Sequence, residues 1–238
     1  LFEFAPLIKE EEEIIVNDEH EFRIMSWNMG ELKGDPNSGA DVETLMRITV
    51  QRYKPLVFMV QEVTNAPKLQ GYHRVLNPKH QRGLDKQVLC ETCETLKIKD
   101  SSTKTSKTRS YQLVIYLVKY IFQEYILLRP KCTIHKRSLS CIARDCNDKL
   151  WMISCVHVHD SGSRRDEEIR KHYLAYTSQD LSEHFFNKTT LVKDHRESVC
   201  NLEDYAKHVE IRVTGGDFNK SSKPFSNKAV TTRRDTDL

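Results

Sequence analysis

Residues 56–60, Leu-Val-Phe-Met-Val, are apolar at every position and run straight into Gln61 and Glu62. Five residues suit a buried strand and are too few for a helix. A strand with no polar face has to be covered on both sides, so other elements must stack above and below it. The chain has 238 residues, 38% of them hydrophobic and 30% charged, which is enough for a sizeable core if some long loops are polar.

Strand-like runs recur at 112–118, 124–128, 139–144 and 150–157, the last two separated by the turn Arg144-Asp145-Cys146-Asn147-Asp148. Near the start, Phe22, Ile24 and Ser26 alternate with Arg23, Met25 and Trp27, which predicts a first strand. Asp41 is placed to cap a helix over 42–53 that turns Leu45, Ile48 and Tyr53 inward, and Pro55 stops it. A longer helix is expected over 164–186, with Ile169, Tyr173 and Tyr176 in one stripe and Leu174, Leu181 and Phe185 widening it. Polar residues 187–208 read as a connection to a short strand at 210–214. Helices mixed with hairpin-like strands favour a layered α/β sandwich over a doubly wound sheet.

An acidic arm, residues 1–20, precedes a single domain over 21–238. Within that domain, 77–110 is the most loop-like stretch; it carries Lys97, Lys99, Lys104, Lys107 and Arg109 among Ser and Thr. It reads either as a solvated insertion or as a basic flap that meets a polyanion. No aromatics interleave with these charges, so the stretch offers no platform for base stacking. The net charge of +3 neither demands nor excludes a nucleic-acid partner. The most apolar run, 113–128, is too short for a membrane span and includes Lys119 and Glu124.

Seven cysteines at scattered positions, with one Cys90-x-x-Cys93 and no second pair at zinc spacing, read as reduced structural thiols. That usage points to an intracellular address, nucleus or cytoplasm. The sequon Asn187-Lys188-Thr189 is the contrary sign, pointing to secretion.

Four strand ends carry the chemistry. The first strand ends at Asn28, whose amide suits a phosphate contact or an Asx turn before a glycine-rich loop. Glu62 follows the apolar run. A carboxylate there needs a partner, either a hard cation such as Mg2+ or a rim Lys or Arg. His157 and His159 lie two apart, so an extended strand turns both imidazoles to one face. One of them suits phosphate binding or protonation of a leaving oxygen, and the other a structural place at the rim. In Gly215-Gly216-Asp217-Phe218-Asn219, the glycines allow a tight exit from the strand. Asp217 could then orient a water, with Phe218 anchored in the core and Asn219 beside the same phosphate. A Gly, Asp and Asn turn also occurs with no active site.

Taken in order, Trp27-Asn28, Gln61-Glu62, His157 and Gly216-Asp217-Phe218-Asn219 resemble the endonuclease/exonuclease/phosphatase superfamily, across about residues 22–222. The resemblance implies a deoxyribonuclease I-like fold, a four-layer α/β/β/α sandwich, and cleavage of phosphoester bonds with Mg2+ or Mn2+. It implies that Glu62 is the metal ligand, supported by Asn28. Asp217 would orient the nucleophilic water, Asn219 would stabilise the charged transition state, and His157 would contact the phosphate or assist the leaving group. It places Arg137, in Lys136-Arg137-Ser138, where some nucleases of the family bind phosphate. Residues 167–174, Glu-Glu-Ile-Arg-Lys-His-Tyr-Leu, are similar to an Arg-x-x-Gln-Leu helix of the family, with Tyr173 in place of Gln.

The family closes on a strand ending Ser-Asp-His, and no such motif follows Asn219 here. Together with Leu1 in place of Met, this leads to the expectation of a fragment or processed product lacking the final strands, or of an inactive relative. The function expected is a metal-dependent phosphodiester hydrolase, an endonuclease or exonuclease acting on nucleic acid. The alternatives are a phosphoinositide phosphatase or other phosphodiesterase of the same kind, and a binding module without turnover.

Overall fold

Val57–Val63 (β2) lies inside a sheet, flanked by Ile24–Asn28 (β1) and Gln112–Val118 (β4), with Tyr72–Leu76 (β3) beyond β4. β1 and β2 run parallel, whereas β4 is antiparallel to both β2 and β3. A second sheet contains Phe122–Leu128 (β5), Ser138–Asp145 (β6), Leu150–His157 (β7), Lys188–Lys193 (β8), Arg196–Asn201 (β9) and Val209–Asp217 (β10). Its order is β10-β7-β6-β5-β8-β9, antiparallel except for the parallel pair β7 and β10. The computed structural model describes residues 23–30, 42–63, 66–76, 112–130, 138–157, 185–193 and 196–218. The acidic arm, Asp41, the basic loop, Arg137, His159, residues 164–184 and Asn219 lie outside them.

Three apolar seams define the layers. In the middle, Met59, Ile115 and Leu117 of the first sheet pack against Leu139, Trp151 and Ile153 of the second. On the outer face of the first sheet, Phe58, Val60 and Tyr116 receive Met46 and Val50 of the helix Val42–Tyr53 (α1). On the outer face of the second, Ile126, Ile142 and Met152 are covered by Phe185 and Leu202, beside the short helix Glu203–Ala206 (α2). Alternate residues of β2 therefore enter different seams, which is why Leu56 through Val60 are all buried. Each fully buried Phe or Leu contributes about 1.5–3 kcal/mol. The tight turn between β6 and β7 is held by Asp145, which accepts the amides of Asn147 and Lys149 at 2.8 and 2.9 Å and the Trp151 indole at 2.8 Å.

The structure corrects several sequence expectations. α1 turns Met46 and Val50 inward, while Ile48 and Tyr53 are 52% and 43% exposed. Val42, Met46 and Val50 repeat every four residues and stack on one face, so they make a better stripe than Leu45 and Ile48. β3 had no strand signature, because Tyr72-His73-Arg74 mixes polar and aromatic residues. Residues 187–208 are not a plain connection but the hairpin β8–β9 followed by α2. Their Lys, Arg and Glu suit the edge of a sheet. Phe185 pairs with Pro130 in an isolated bridge, so the chain is extended where the end of a helix was expected. β10 continues through Gly215 and Gly216 to Asp217, so the glycines lie within the strand rather than at its exit.

The four described cysteines are free thiols: Cys141 and Cys155 are buried, Cys200 is half-buried and Cys146 is exposed. Burial pushes the Cys155 thiol up to about 12, against the smaller opposing effect of a hydrogen bond from Gln61. Iodoacetamide applied to the native protein, followed by peptide mass mapping, should label Cys146 and spare Cys141 and Cys155 until the protein is unfolded in urea. Among the described residues no helix is long and apolar enough to cross a membrane, which says nothing of a β-barrel.

Candidate functional site

Each sheet contributes its parallel pair to one rim. Parallel strands end on the same side, so β1 and β2 deliver Asn28 and Glu62 together, and β7 and β10 deliver His157 and Asp217. In register, Asn28 faces Gln61 and Asp217 faces His157. Across the gap between sheets, the Asn28 Nδ2 donates to Asp217 Oδ2. The His157 Nε2 lies 3.3 Å from Glu62 Oε1 and 4.0 Å from Asp217 Oδ2. Four side chains from four strands and both sheets thus converge, although Asn28 and Asp217 are 189 residues apart in the chain. All four are partly open to solvent, as a site for an incoming molecule requires.

The backbone is shaped around these groups. Glu62 sits at a break in the β2–β4 register and takes a left-handed conformation, φ 57°. A glutamate pays about 1 kcal/mol for that, and such strain gathers where a side chain has to be aimed. Gly30 lies over the carboxylate: a Cβ there would come within 2.4 Å of Glu62 Oε2. Its amide donates to Asn28 Oδ1 at 2.8 Å, which fixes the orientation of the Asn28 amide and leaves Oδ1 one further lone pair. Gly216 has φ 146°, and a Cβ on it would overlap the Val156 carbonyl. Gly215 lets Met59 approach from the facing sheet. Sequence reasoning passed over Gly30; its only signal was its place two residues after Asn28.

Glu62, Asp217 and the free lone pair of Asn28 form an all-oxygen donor set. It suits a hard cation that keeps several waters and takes one or two carboxylates, as Mg2+ does. Among the described residues no three His, Cys, Asp or Glu side chains are grouped to hold a metal ion. Arg137 and Asn219, also expected at the site, lie outside the described residues, but their neighbours are placed. β6 begins at Ser138 opposite Val156, and β10 ends at Asp217. Leu76 ends β3 opposite Val114, and Gln112 begins β4 opposite Val63. The described residues that flank the basic loop, Leu76 and Gln112, therefore stand at the rim that carries Glu62.

No family model and no curated protein matches the chain. The chain is similar to the solved human Nocturnin catalytic domain with bound sulfate anion: 14% identity, 84% of this chain, 63% of that one, TM-score 0.44. It is similar to truncated Caenorhabditis elegans TDP2: 14% identity, 82% of this chain, 61% of that one, TM-score 0.43. It is also similar to the AP endonuclease LMAP from Leishmania major: 15% identity, 64% of this chain, 48% of that one, TM-score 0.38. The chain spans less than two thirds of each of these structures. The two mixed sheets pack face to face with α1 and α2 on their outer faces, a layered α/β/β/α sandwich that brings four motif-bearing strand ends to one rim.

Proposed function

We propose that this rim is the active site of a metal-dependent phosphodiester hydrolase acting on nucleic acid. The observation that carries the reading is the gathering of Asn28, Glu62, His157 and Asp217 from both sheets. Glu62, with Asn28, would hold Mg2+ or Mn2+, which would supply charge neutralisation and Lewis acidity at the phosphate. Asp217, held from one side by the Asn28 amide, orients a water for attack on phosphorus and takes its proton. His157 holds a proton at Nε2, between the two carboxylates, and passes it to the oxygen that leaves as the P–O bond breaks. Asn219, two residues beyond Asp217, donates to the charged transition state, where a fixed dipole is worth more than in water. Arg137, next to the start of β6, binds a neighbouring phosphate.

A nucleic-acid substrate is supported by the placement at this rim of Leu76 and Gln112, the described residues that flank the basic loop, since a run of lysines meets a polyanion by counterion release. Purified protein with Mg2+ is expected to cleave plasmid DNA, single-stranded DNA or RNA, and to lose that activity with EDTA or Asp217→Ala. Turnover of a phosphoinositide panel with no nucleic-acid cleavage would move the substrate class. Binding of Mg2+ and oligonucleotide without turnover of any substrate would make the chain a binding module. Cleavage that survives both EDTA and Asp217→Ala would remove the site assignment.

A further inference from the structure

The site is divided between two sheets, so its geometry depends on how those sheets are held relative to each other just below the rim. Along each strand the residue two places back shares the face of the site residue. Ser26 thus lies one pleat below Asn28, Cys155 below His157 and Gly215 below Asp217. Gln61 enters this layer from β2. It is 1% exposed, and its Nε2 lies 3.1 Å from Ser26 Oγ and 3.2 Å from Cys155 Sγ. The Cys155 thiol in turn donates to the Val60 carbonyl at 3.8 Å. One amide therefore ties β1 and β2 to β7 of the opposite sheet, directly beneath the Glu62, His157 and Asp217 side chains.

An apolar residue of the same volume would fill this place without desolvating an amide. The amide has a direction that an apolar residue lacks, because its two N–H groups fix two partners at set angles. We infer that Gln61 is a positioning residue: its bridge to Ser26 and Cys155 sets the separation at which the carboxylates of one sheet meet those of the other. This rests on the reading of the rim as an active site, yet its first test needs no activity.

The experiment compares wild type with Gln61→Leu, which keeps the volume and removes the bridge. The expected result is a folded variant in which the His157 ring signals in two-dimensional NMR of the metal-free protein shift or broaden, while those of His208, in the turn before β10 and at the opposite end of that strand from Asp217, stay in place. With Mg2+ added, its apparent affinity by titration calorimetry should fall about 10–100-fold, the usual effect of losing a group that orients a ligand. In turnover assays kcat should drop with KM little changed. Cys155→Ser, which keeps a hydrogen-bonding group at that position, should behave like wild type, and Cys155→Ala should move the His157 signals. The two cysteine variants keep the test sharp if Gln61→Leu does not fold. Unmoved His157 signals in every folded variant that lacks the bridge would overturn the inference. Absence of Mg2+ binding and turnover in wild type itself, with the His157 signals shifted in the variants, would instead refute the active-site reading and leave the bridge standing.

Discussion

Gly216→Ala is expected to destabilise the protein by about 3–5 kcal/mol, a large share of the 5–15 kcal/mol that holds a typical domain together. The cause is steric. A Cβ at Gly216 would fall 1.9 Å from the Val156 carbonyl oxygen and 2.7 Å from the Val156 nitrogen. Those are backbone atoms of the paired strand, so no side chain can swing aside. β10 would have to leave β7, and the register from Val213–Ile153 to Asp217–His157 would be lost with it. Gly71→Ala separates this from the conformational cost. Gly71 also has a positive φ, 76°, but a Cβ there meets nothing within 4 Å. That variant should lose only about 1 kcal/mol. Urea unfolding followed by circular dichroism distinguishes the two. Equal losses would show that overlap with Val156 plays no part.

Glu62→Gln is expected to lower turnover by at least about 1,000-fold, roughly 4 kcal/mol of barrier. The amide keeps the shape and the strained backbone but gives up the charge that a cation needs. The consequence for stability runs the other way. Glu62 and Asp217 are like charges that both approach the same imidazole nitrogen, within 3.3 and 4.0 Å. In EDTA, with no cation between them, removing one charge relieves repulsion, while the amide oxygen still accepts from the His157 Nε2–H and Asp217 stays beside it, so the variant should unfold no more easily than wild type. Added Mg2+ should raise the melting temperature of wild type, because a ligand at about 100 times its Kd stabilises by about 2.7 kcal/mol. It should leave Glu62→Gln unmoved. A variant that is both less stable in EDTA and still raised by Mg2+ would show that the carboxylate is a structural partner and not a cation ligand.

The strands buried on both faces were legible because their chemistry is local. Leu56 through Val60 and Leu150 through Val156 are apolar enough that no other placement suits them. The ends of those strands were legible too, since a polar residue after such a run marks a rim. β3, β8 and β9 were not. They draw on residues that also suit loops, and only the pairing of β3 with β4, β8 with β5 and β9 with β8 makes them strands. Nor was the inward face of α1. Two apolar stripes run along that helix, and the choice between them belongs to the sheet it covers.

By itself the sequence determined the parts: apolar runs of strand length, each ending in an amide, a carboxylate or an imidazole. Those follow from the alternation of side chains and the cost of burying a charge. The tertiary structure decided their meeting. Asn28 lies beside Asp217, and His157 between two carboxylates, because parallel pairs in two facing sheets end at one rim. Parallel pairing and sheet packing are contacts between residues far apart in the chain, and no local pattern of side chains encodes them.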